Sequence, residues 1–544
     1  MKALEKRELG AGWAFSLVLM LGLGWTGAVL PAPAQQAPAG SQAGKPGTSG
    51  TSQQGSATRI TPEEAQKLFG MVDELLKFSS QETGLPIKQE VQRKLTTRAA
   101  VEAYLREKLN DDQDAKRMQR SEIVLKKFGL LDRDFDLKPF LLQLLGEQIE
   151  AYYDPKTKTV NLLDWVKPEE QKSVLAHELT HALQDQHVNL DKWGDQTPED
   201  VSTDAAGDTD HLARDEMDSA REAVSEGQAT AVMLDDVLKP MGRSLLKDPE
   251  VVEMVKHQMT SSDDSPVMAR APLLLSESLL FPYREGLSFE QDVWMDKGRD
   301  AAFAGTLDRP PSSTWEIINP REYEMGHRAR IPLLPNIHPL VDAQYKPYDI
   351  GQVGELDVQI LSEIFADKQV SRDLTPAWDG GIYWAGQQRN ATVAEQAGTK
   401  SVALFYLSIW RSPESAQQFA AMYAGELGRQ FSGLKEDHEA ERSSPQTDGE
   451  REQVYATDEG PVVLTTRGKM VFVSETFDLA LARKLAELIL DAQGTGSMQL
   501  AKADGEPVQQ MDEPRWTLTG SMVRFLAGCG AMKAAVDPAL RTLH

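Results

Sequence analysis

Cysteine is almost absent from the chain, since one residue, Cys529, occurs among 544. An intramolecular disulfide is therefore excluded, and so is a metal site built from several cysteine thiolates. Histidine is scarce as well, yet three of the nine histidines fall within residues 175–187. A metal site in this chain would have to use histidine and carboxylate ligands, and this short stretch is its first candidate.

Positive charge is in deficit. The 58 lysines and arginines are outnumbered by 83 aspartates and glutamates, which gives a formal net charge of −25. This balance argues against a nucleic-acid backbone or an anionic membrane surface as a partner. The hydrophobic content of 40% is ordinary for a globular protein. We interpret the excess of acidic residues as a well-solvated surface.

Long apolar runs are missing except at the N-terminus. A basic start precedes an uncharged run over residues 9–30, and the small residues 32–34 (APA) follow it. This pattern predicts a secretory signal peptide over residues 1–34 and a mature chain that begins near Gln35. The alternative is an uncleaved membrane anchor, because the run approaches the ~20 residues that span a bilayer.

The location follows from the same features. No cysteine comes directly after the apolar run, which excludes a lipoprotein anchor. An exported protein without disulfides is typical of a bacterial cell envelope. We therefore expect a periplasmic or extracellular protein, without a stable membrane span once the signal peptide is cleaved.

Composition divides the remainder into four stretches and predicts the α+β class. Residues 35–60 are Gln, Gly, Ser, Ala, Thr and Pro with few apolar side chains, which is typical of a disordered linker. Residues 61–365 are predicted to form a mainly helical domain. Residues 370–493 are predicted to form a smaller α+β domain in the order β-α-β-β-α, with a charged surface loop inside it. Residues 494–544 are predicted to be a largely irregular tail.

The sequence HELTH, residues 177–181, lies on a predicted helix that starts at Pro168, directly after a predicted hairpin. His177 and His181 are about 40° apart and roughly 6 Å along one helix face. Both imidazoles can therefore reach one ion at the about 2.0 Å that zinc needs. Glu178 is turned about 100° further round, where a general base for a water molecule must stand.

Zinc needs a third protein ligand. A later predicted helix, residues 219–238, carries Glu222 and Glu226 four positions apart on one face. His187 lies six positions after the second histidine, as in the longer motif HExxHxxGxxH. Because Gln184 stands where that motif has glycine, His187 is predicted to be a capping or surface residue rather than a ligand.

HELTH followed by a glutamate on a second helix resembles the gluzincin clan of zinc metallopeptidases, which includes thermolysin and the neutral aminopeptidases. The stretches HELTHALQDQ, SEGQAT, FPYREG and PPSSTWEIINPREY together resemble a group of exported bacterial proteins assigned to this type of zinc peptidase. The resemblance spans roughly residues 60–330. It implies a zincin-like domain, a Zn²⁺ cofactor held by His177 and His181, Glu178 as general base, and a peptide or protein substrate.

Two glutamates remain open as the third ligand. REAVSE is similar to the thermolysin-type ligand helix, which would select Glu222, whereas SEGQAT is similar to the aminopeptidase type, which would select Glu226. We predict Glu226, because Gly227 and Ala223 leave room for the HELTH helix to approach closely. The chain departs from the family in one respect: Glu226 lies 45 positions after His181, more than twice the usual gap. The extra acidic segment is predicted to be loop-like, either covering the cleft or forming a plain insertion.

These residues predict zinc-dependent peptide-bond hydrolysis. The developing oxyanion would need a second donor, for which Tyr283, Tyr323 and His211 are candidates. The hairpin offers a strand edge to an extended peptide. The alternative is a non-catalytic envelope protein that retains the zinc fold as a scaffold and binds a partner through its C-terminal domain.

Overall fold

The computed structural model describes residues 59–110, 112–194, 196, 201–259, 265–443 and 449–495. The predicted signal peptide, nearly all of the predicted linker and nearly all of the predicted tail lie outside the described residues. Within the described part, helices combine with two sheets, so the predicted α+β class is confirmed. None of the helices described there has the length and the apolar character that crossing a membrane requires.

Ten strands among the described residues form two sheets. A small sheet has the order β1-β3-β2, with β1 parallel and β2 antiparallel to β3. A larger antiparallel sheet has the order β4-β5-β6-β10-β9-β8-β7. The strands are β1 (Gln92–Thr96), β2 (Ala151–Asp154), β3 (Thr159–Leu163), β4 (Tyr345–Gln352), β5 (Trp378–Gln388), β6 (Val402–Trp410), β7 (Lys435–Glu436), β8 (Glu450–Thr457), β9 (Gly460–Arg467) and β10 (Met470–Glu475).

Helices supply most of the remaining structure. They are α1 (Pro62–Thr83), α2 (Arg98–Asn110), α3 (Asp112–Lys127), α4 (Leu137–Gln148), α5 (Pro168–Val188), α6 (Leu190–Trp193), α7 (Ala205–Arg214), α8 (Met217–Leu238), α9 (Pro249–Gln258), α10 (Leu273–Lys297), α11 (Thr306–Asp308), α12 (Thr314–Ile318), α13 (Pro320–Met325), α14 (His338–Val341), α15 (Glu355–Phe365), α16 (Lys368–Leu374), α17 (Val393–Gln396), α18 (Pro413–Gln430), α19 (His438–Arg442) and α20 (Leu479–Ala492). Short 3₁₀ turns lie at Lys239–Met241, Leu245–Lys247, Met268–Arg270, Thr375–Ala377, Thr399–Ser401 and Gln493–Thr495, and a π-helical turn lies at Ala301–Gly305.

Local sequence explains where α5 sits. The predicted hairpin is present as β2 and β3, whose register pairs Tyr153 with Val160. Pro168 then occupies the first turn of α5, followed by two acidic residues near the positive end of the helix dipole. The helix ends at Val188, and the next residue, Asn189, turns the chain with a φ of 60°. The HELTH segment is thereby placed in the middle of a long helix that packs on the small sheet.

The larger sheet is buried on both faces. In β6, Leu404 and Tyr406 belong to the apolar core that also contains α18, whereas Phe405 and Leu407 belong to the core that contains α20. Successive strand residues point to opposite faces. This double burial explains why VALFYLSIW is apolar almost throughout instead of alternating.

Three sequence-based expectations need correction. β1 was not predicted, because its sequence QRKLT shows no apolar alternation. The larger sheet contains β4 and β5 in addition to the strands predicted. The predicted charged loop, residues 436–453, contains α19, the end of β7 and the start of β8. The domain division between residues 365 and 370 stays a prediction, although α15, on its N-terminal side, packs with α18 and β5 of the larger sheet.

The acidic segment between HELTH and Glu226 is not wholly a loop. The segment, residues 187–210, contains α6 and the first part of α7, while residues 195 and 197–200 lie outside the described part. Trp193 Nε1 donates to Leu307 O at 2.9 Å. The guanidinium carbon of Arg221 lies 5.4 Å from the centroid of the Trp193 ring. The start of the segment is therefore packed between α8 and α11.

Candidate metal centre

Helix α5 presents two imidazoles to one point. His177 is fully buried, and the side chain of His181 is 12% exposed. Their Nε2 atoms are 2.9 Å apart, as their spacing of one helical turn predicts. His177 Nδ1 has no hydrogen-bond partner among the described residues. Both rings therefore direct the same nitrogen towards α8.

Helix α8 supplies a carboxylate to the same point. Glu226 Oε2 lies 2.9 Å from His177 Nε2 and 3.5 Å from His181 Nε2. In a tetrahedral zinc site with bonds of about 2.0–2.1 Å, ligand atoms are about 3.3 Å apart. The three separations bracket that value, and two histidines with one glutamate form a donor set that zinc uses. The residues present therefore fit a zinc ion.

Charge in the centre favours a cation. Burial opposes ionisation of Glu226, but the attraction of His181 and the hydrogen bonds from both histidines outweigh it and lower the pKa of Glu226 to about 2. Burial likewise opposes protonation of His181, but the charge of Glu226 outweighs it and raises the pKa of His181 to about 9. The three groups thus hold a proton at neutral pH, which a metal ion would displace.

Glu178 lies beside this centre and is only 2% exposed. The Tyr153 backbone N–H donates to Glu178 Oε2 at 2.6 Å. Oε1 has no hydrogen-bond partner in the described part of the chain. Burial raises the pKa of Glu178, while the charges of the two histidines lower it. One carboxylate oxygen is therefore anchored and the other is available to accept a proton.

Tyr153 connects Glu178 to a second carboxylate on α5. Its hydroxyl donates to Asp185 Oδ2 at 2.8 Å, and Lys158 Nζ donates to the same oxygen at 2.7 Å. Asp185 follows Glu178 by seven positions, or two helical turns, so both carboxylates face β2. This pair was not predicted from the sequence, although the spacing of seven residues on α5 places Asp185 on the face of Glu178.

A Tyr153→Phe variant is expected to lower the free energy of unfolding by about 1–2 kcal/mol, because a hydrogen bond to a charged group is lost while Asp185 keeps Lys158 as a partner. Urea denaturation measures the effect. An unchanged urea midpoint would contradict the assigned contact.

Of the three candidate oxyanion donors, the structure places one at the centre. The buried Tyr283 ring stacks near His177, with ring centroids 6.2 Å apart and an interplanar angle of 29°. Burial, and then the charge of Glu226, raise the pKa of Tyr283 well above its ordinary value. Tyr323 donates instead to Arg309 O at 2.7 Å. His211 is buried outside the ligand cluster, 3.5 Å from an oxygen of Asp215.

The other carboxylate and histidine singled out in the sequence lie outside the ligand cluster. Among the described residues, the group that could hold a metal consists of His177, His181 and Glu226, with ligand atoms within 4.8 Å of one another. Glu222 is half-buried, and its charge acts on Tyr283. His187 Nε2 pairs with Asp308 Oδ1 at 2.9 Å near the end of α5.

The helix that packs closely against Gly227 is α10, whereas the sequence led us to expect α5. A Cβ on Gly227 would lie 2.3 Å from the backbone carbon of Gly286, and a Cβ on Gly286 would lie 2.0 Å from Ala223 O. Gly227 and Ala223 therefore admit α10 rather than α5, so the reason given for choosing Glu226 was wrong. The backbone contact between α8 and α10 does place Tyr283 beside Glu226.

A Gly286→Ala variant is expected to destabilise the protein by about 1–3 kcal/mol, because two helix backbones must separate. Zinc affinity is expected to fall with it, since α8 carries Glu226. Gly70→Ala is the matched control: a Cβ on Gly70 in α1 meets nothing within 4 Å, so helix propensity is expected to make this variant slightly more stable. Thermal unfolding and zinc competition would compare them, and equal behaviour would refute the packing argument.

Comparison of the chain with protein-family models, with curated proteins and with solved structures finds no match.

Proposed function

We propose that this protein is an exported bacterial zinc metallopeptidase of the gluzincin type, which hydrolyses peptide bonds. The observation that carries the proposal is the convergence of His177 Nε2, His181 Nε2 and Glu226 Oε2, with the unpaired oxygen of Glu178 beside them. A ligand set of this composition with an adjacent buried carboxylate is what hydrolysis by an activated water requires.

The fold context agrees with a zincin-like domain. A small sheet precedes the helix that carries both histidines, and a later helix packed on it supplies the glutamate. β2 is one of the two edge strands of that sheet, and the Tyr153 N–H points from its edge to Glu178. An extended peptide lying along this edge would pass close to the centre.

The chain's own residues divide the work of hydrolysis. A bound zinc ion would polarise the scissile carbonyl and lower the pKa of a coordinated water. Glu178 accepts the proton of the attacking water at Oε1 and later delivers it to the leaving amine. The Tyr283 hydroxyl, which remains protonated because its pKa is raised, donates a hydrogen bond to the developing negative charge.

The full-length mature protein should be tested for metal and activity together. We expect one zinc per chain by elemental analysis, and cleavage of a peptide library by the wild type but not by Glu178→Gln. The absence of stoichiometric metal in protein purified without chelators, or equal cleavage by both proteins, would refute the proposal.

Burial of the centre favours the second candidate function, a non-catalytic zinc scaffold. His177 is 0% exposed and Glu226 is 4% exposed, whereas a peptidase must admit substrate. The partly exposed side of His181 is where substrate would enter. Stoichiometric zinc without cleavage of any library peptide would support the scaffold.

A further inference from the structure

A hydrogen-bonded series of two buried glutamine side chains, Gln184 and Gln228, starts at the ring nitrogen of His181 that faces away from the metal centre. His181 Nδ1 lies 2.9 Å from Gln184 Oε1. Gln184 Nε2 donates to Ser225 O at 3.0 Å and to Gln228 Oε1 at 2.9 Å. Both glutamines are fully buried. These hydrogen bonds link α5 to α8 one turn beyond the second histidine.

The side-chain amide of Gln228 can adopt only one orientation. Gln228 Nε2 lies within hydrogen-bond distance of Ala302 O and Phe303 O, each at 3.0 Å, in the π-helical turn, and of Thr306 Oγ1 at 2.9 Å. Backbone carbonyls can only accept hydrogen bonds. The amide of Gln228 therefore cannot be flipped, and its oxygen must face Gln184.

The orientation of the Gln184 amide, and with it the tautomer of His181, is determined in the same way. Gln184 Nε2 faces two acceptors, Ser225 O and Gln228 Oε1, so Gln184 Oε1 must face His181. An amide oxygen cannot donate, and the Ser225 hydroxyl, which lies 3.2 Å from Nδ1, donates to the same amide oxygen at 3.0 Å, so Nδ1 of His181 carries the proton. Its Nε2 is then left with a lone pair that points at His177 and Glu226.

We infer that Gln184 and Gln228 are positioning residues that lock His181 in the tautomer able to bind a metal through Nε2. The inference rests on the proposed zinc site. His177 has no comparable support, because its Nδ1 lacks a partner among the described residues. Of the two histidine ligands, His181 is therefore the one whose tautomer is set by hydrogen bonds with the side-chain amides.

Three variants separate positioning from general stability. Gln184→Met removes the nearer acceptor and leaves the Ser225 hydroxyl, 3.2 Å from Nδ1, which can either accept or donate. Zinc affinity is therefore expected to fall about 10–100-fold. Gln184→Glu keeps an acceptor there but turns its other oxygen towards two acceptors, so we expect lower stability with nearly unchanged zinc affinity. Gln171→Met is the matched control: Gln171 is a fully buried glutamine of α5 that bonds Leu163 and Val166. It should lose stability and keep its zinc affinity.

Zinc affinity by chelator competition and stability by urea denaturation are measured for each variant. Affinities that simply follow stability, with Gln184→Glu and Gln171→Met losing zinc as Gln184→Met does, would overturn the inference. If the wild type binds no zinc, the proposed function fails instead.

A second measurement does not depend on zinc. In metal-free protein labelled with ¹⁵N-histidine, the ring-nitrogen chemical shifts of His181 are followed as the pH is raised until they no longer change, so that the neutral ring is observed. We expect the proton on Nδ1 in the wild type and in Gln171→Met, and a mixture of tautomers in Gln184→Met. A wild-type His181 protonated on Nε2 would overturn the inference directly.

Discussion

A Glu178→Gln variant is expected to keep its zinc and to lose peptidase activity by about 10²–10⁴-fold, the usual contribution of a general base. The substitution keeps the shape of the side chain and leaves both histidines in place. The amide oxygen can still accept from the Tyr153 N–H at the position of Oε2. The other atom becomes an NH₂ group, which cannot take a proton from water.

Glu170→Gln is the matched control, because Glu170 lies on the same helix but is exposed. Initial rates on a peptide cleaved by the wild type, with zinc content measured on the same samples, would compare the three proteins. A zinc-loaded Glu178→Gln enzyme with wild-type turnover would show that another group is the base.

Replacing Glu226 by alanine is expected to abolish tight zinc binding. Glu226 Oε2 is within 3.5 Å of both imidazoles, and zinc in such sites takes three protein ligands. With the carboxylate removed, two histidines of one helix turn remain. The loss should exceed the about 10–100-fold that follows removal of a group outside the ligand set.

Glu222→Ala is the comparison that tests the choice of ligand. Glu222 lies one turn earlier on α8 and outside the ligand cluster, so its replacement should weaken zinc binding by no more than about 10–100-fold. Competition with a chromogenic chelator measures both affinities. The opposite order, with Glu222→Ala the more damaging, would mean that the thermolysin-like arrangement is the correct one.

Local patterns predicted the elements that hold the centre. The Pro168 start of α5, the hairpin before it and the helix that carries Glu226 all follow from turn chemistry, capping and helical spacing. β5 was missed because its sequence WDGGIYWAGQQ contains three glycines, which weaken a strand signal. It is held instead by pairing with β4 and β6, a non-local contact that sequence spacing does not reveal.

The centre shows the same limit. HELTH is local, so the relation between His177 and His181 could be read from the helix period. The sequence did not reveal which helix packs against Gly227, because Gly286 lies 59 positions further along the chain. Gln184 was noted in the sequence only as the absence of a glycine. Its role depends on acceptors from α8 and on the π-helical turn behind Gln228, which no pattern within α5 contains.

The near-complete burial of the centre has a kinetic consequence. The three ligand atoms come from two helices, and α5 and α8 pack directly against each other. Of the three ligand side chains, that of His181 is the most exposed, at 12%, so a chelator would approach a bound ion from that side, and faster exchange would require local opening of the two helices. The residence time of the ion would then depend on the packing of α8 against α10 at Gly227 and Gly286.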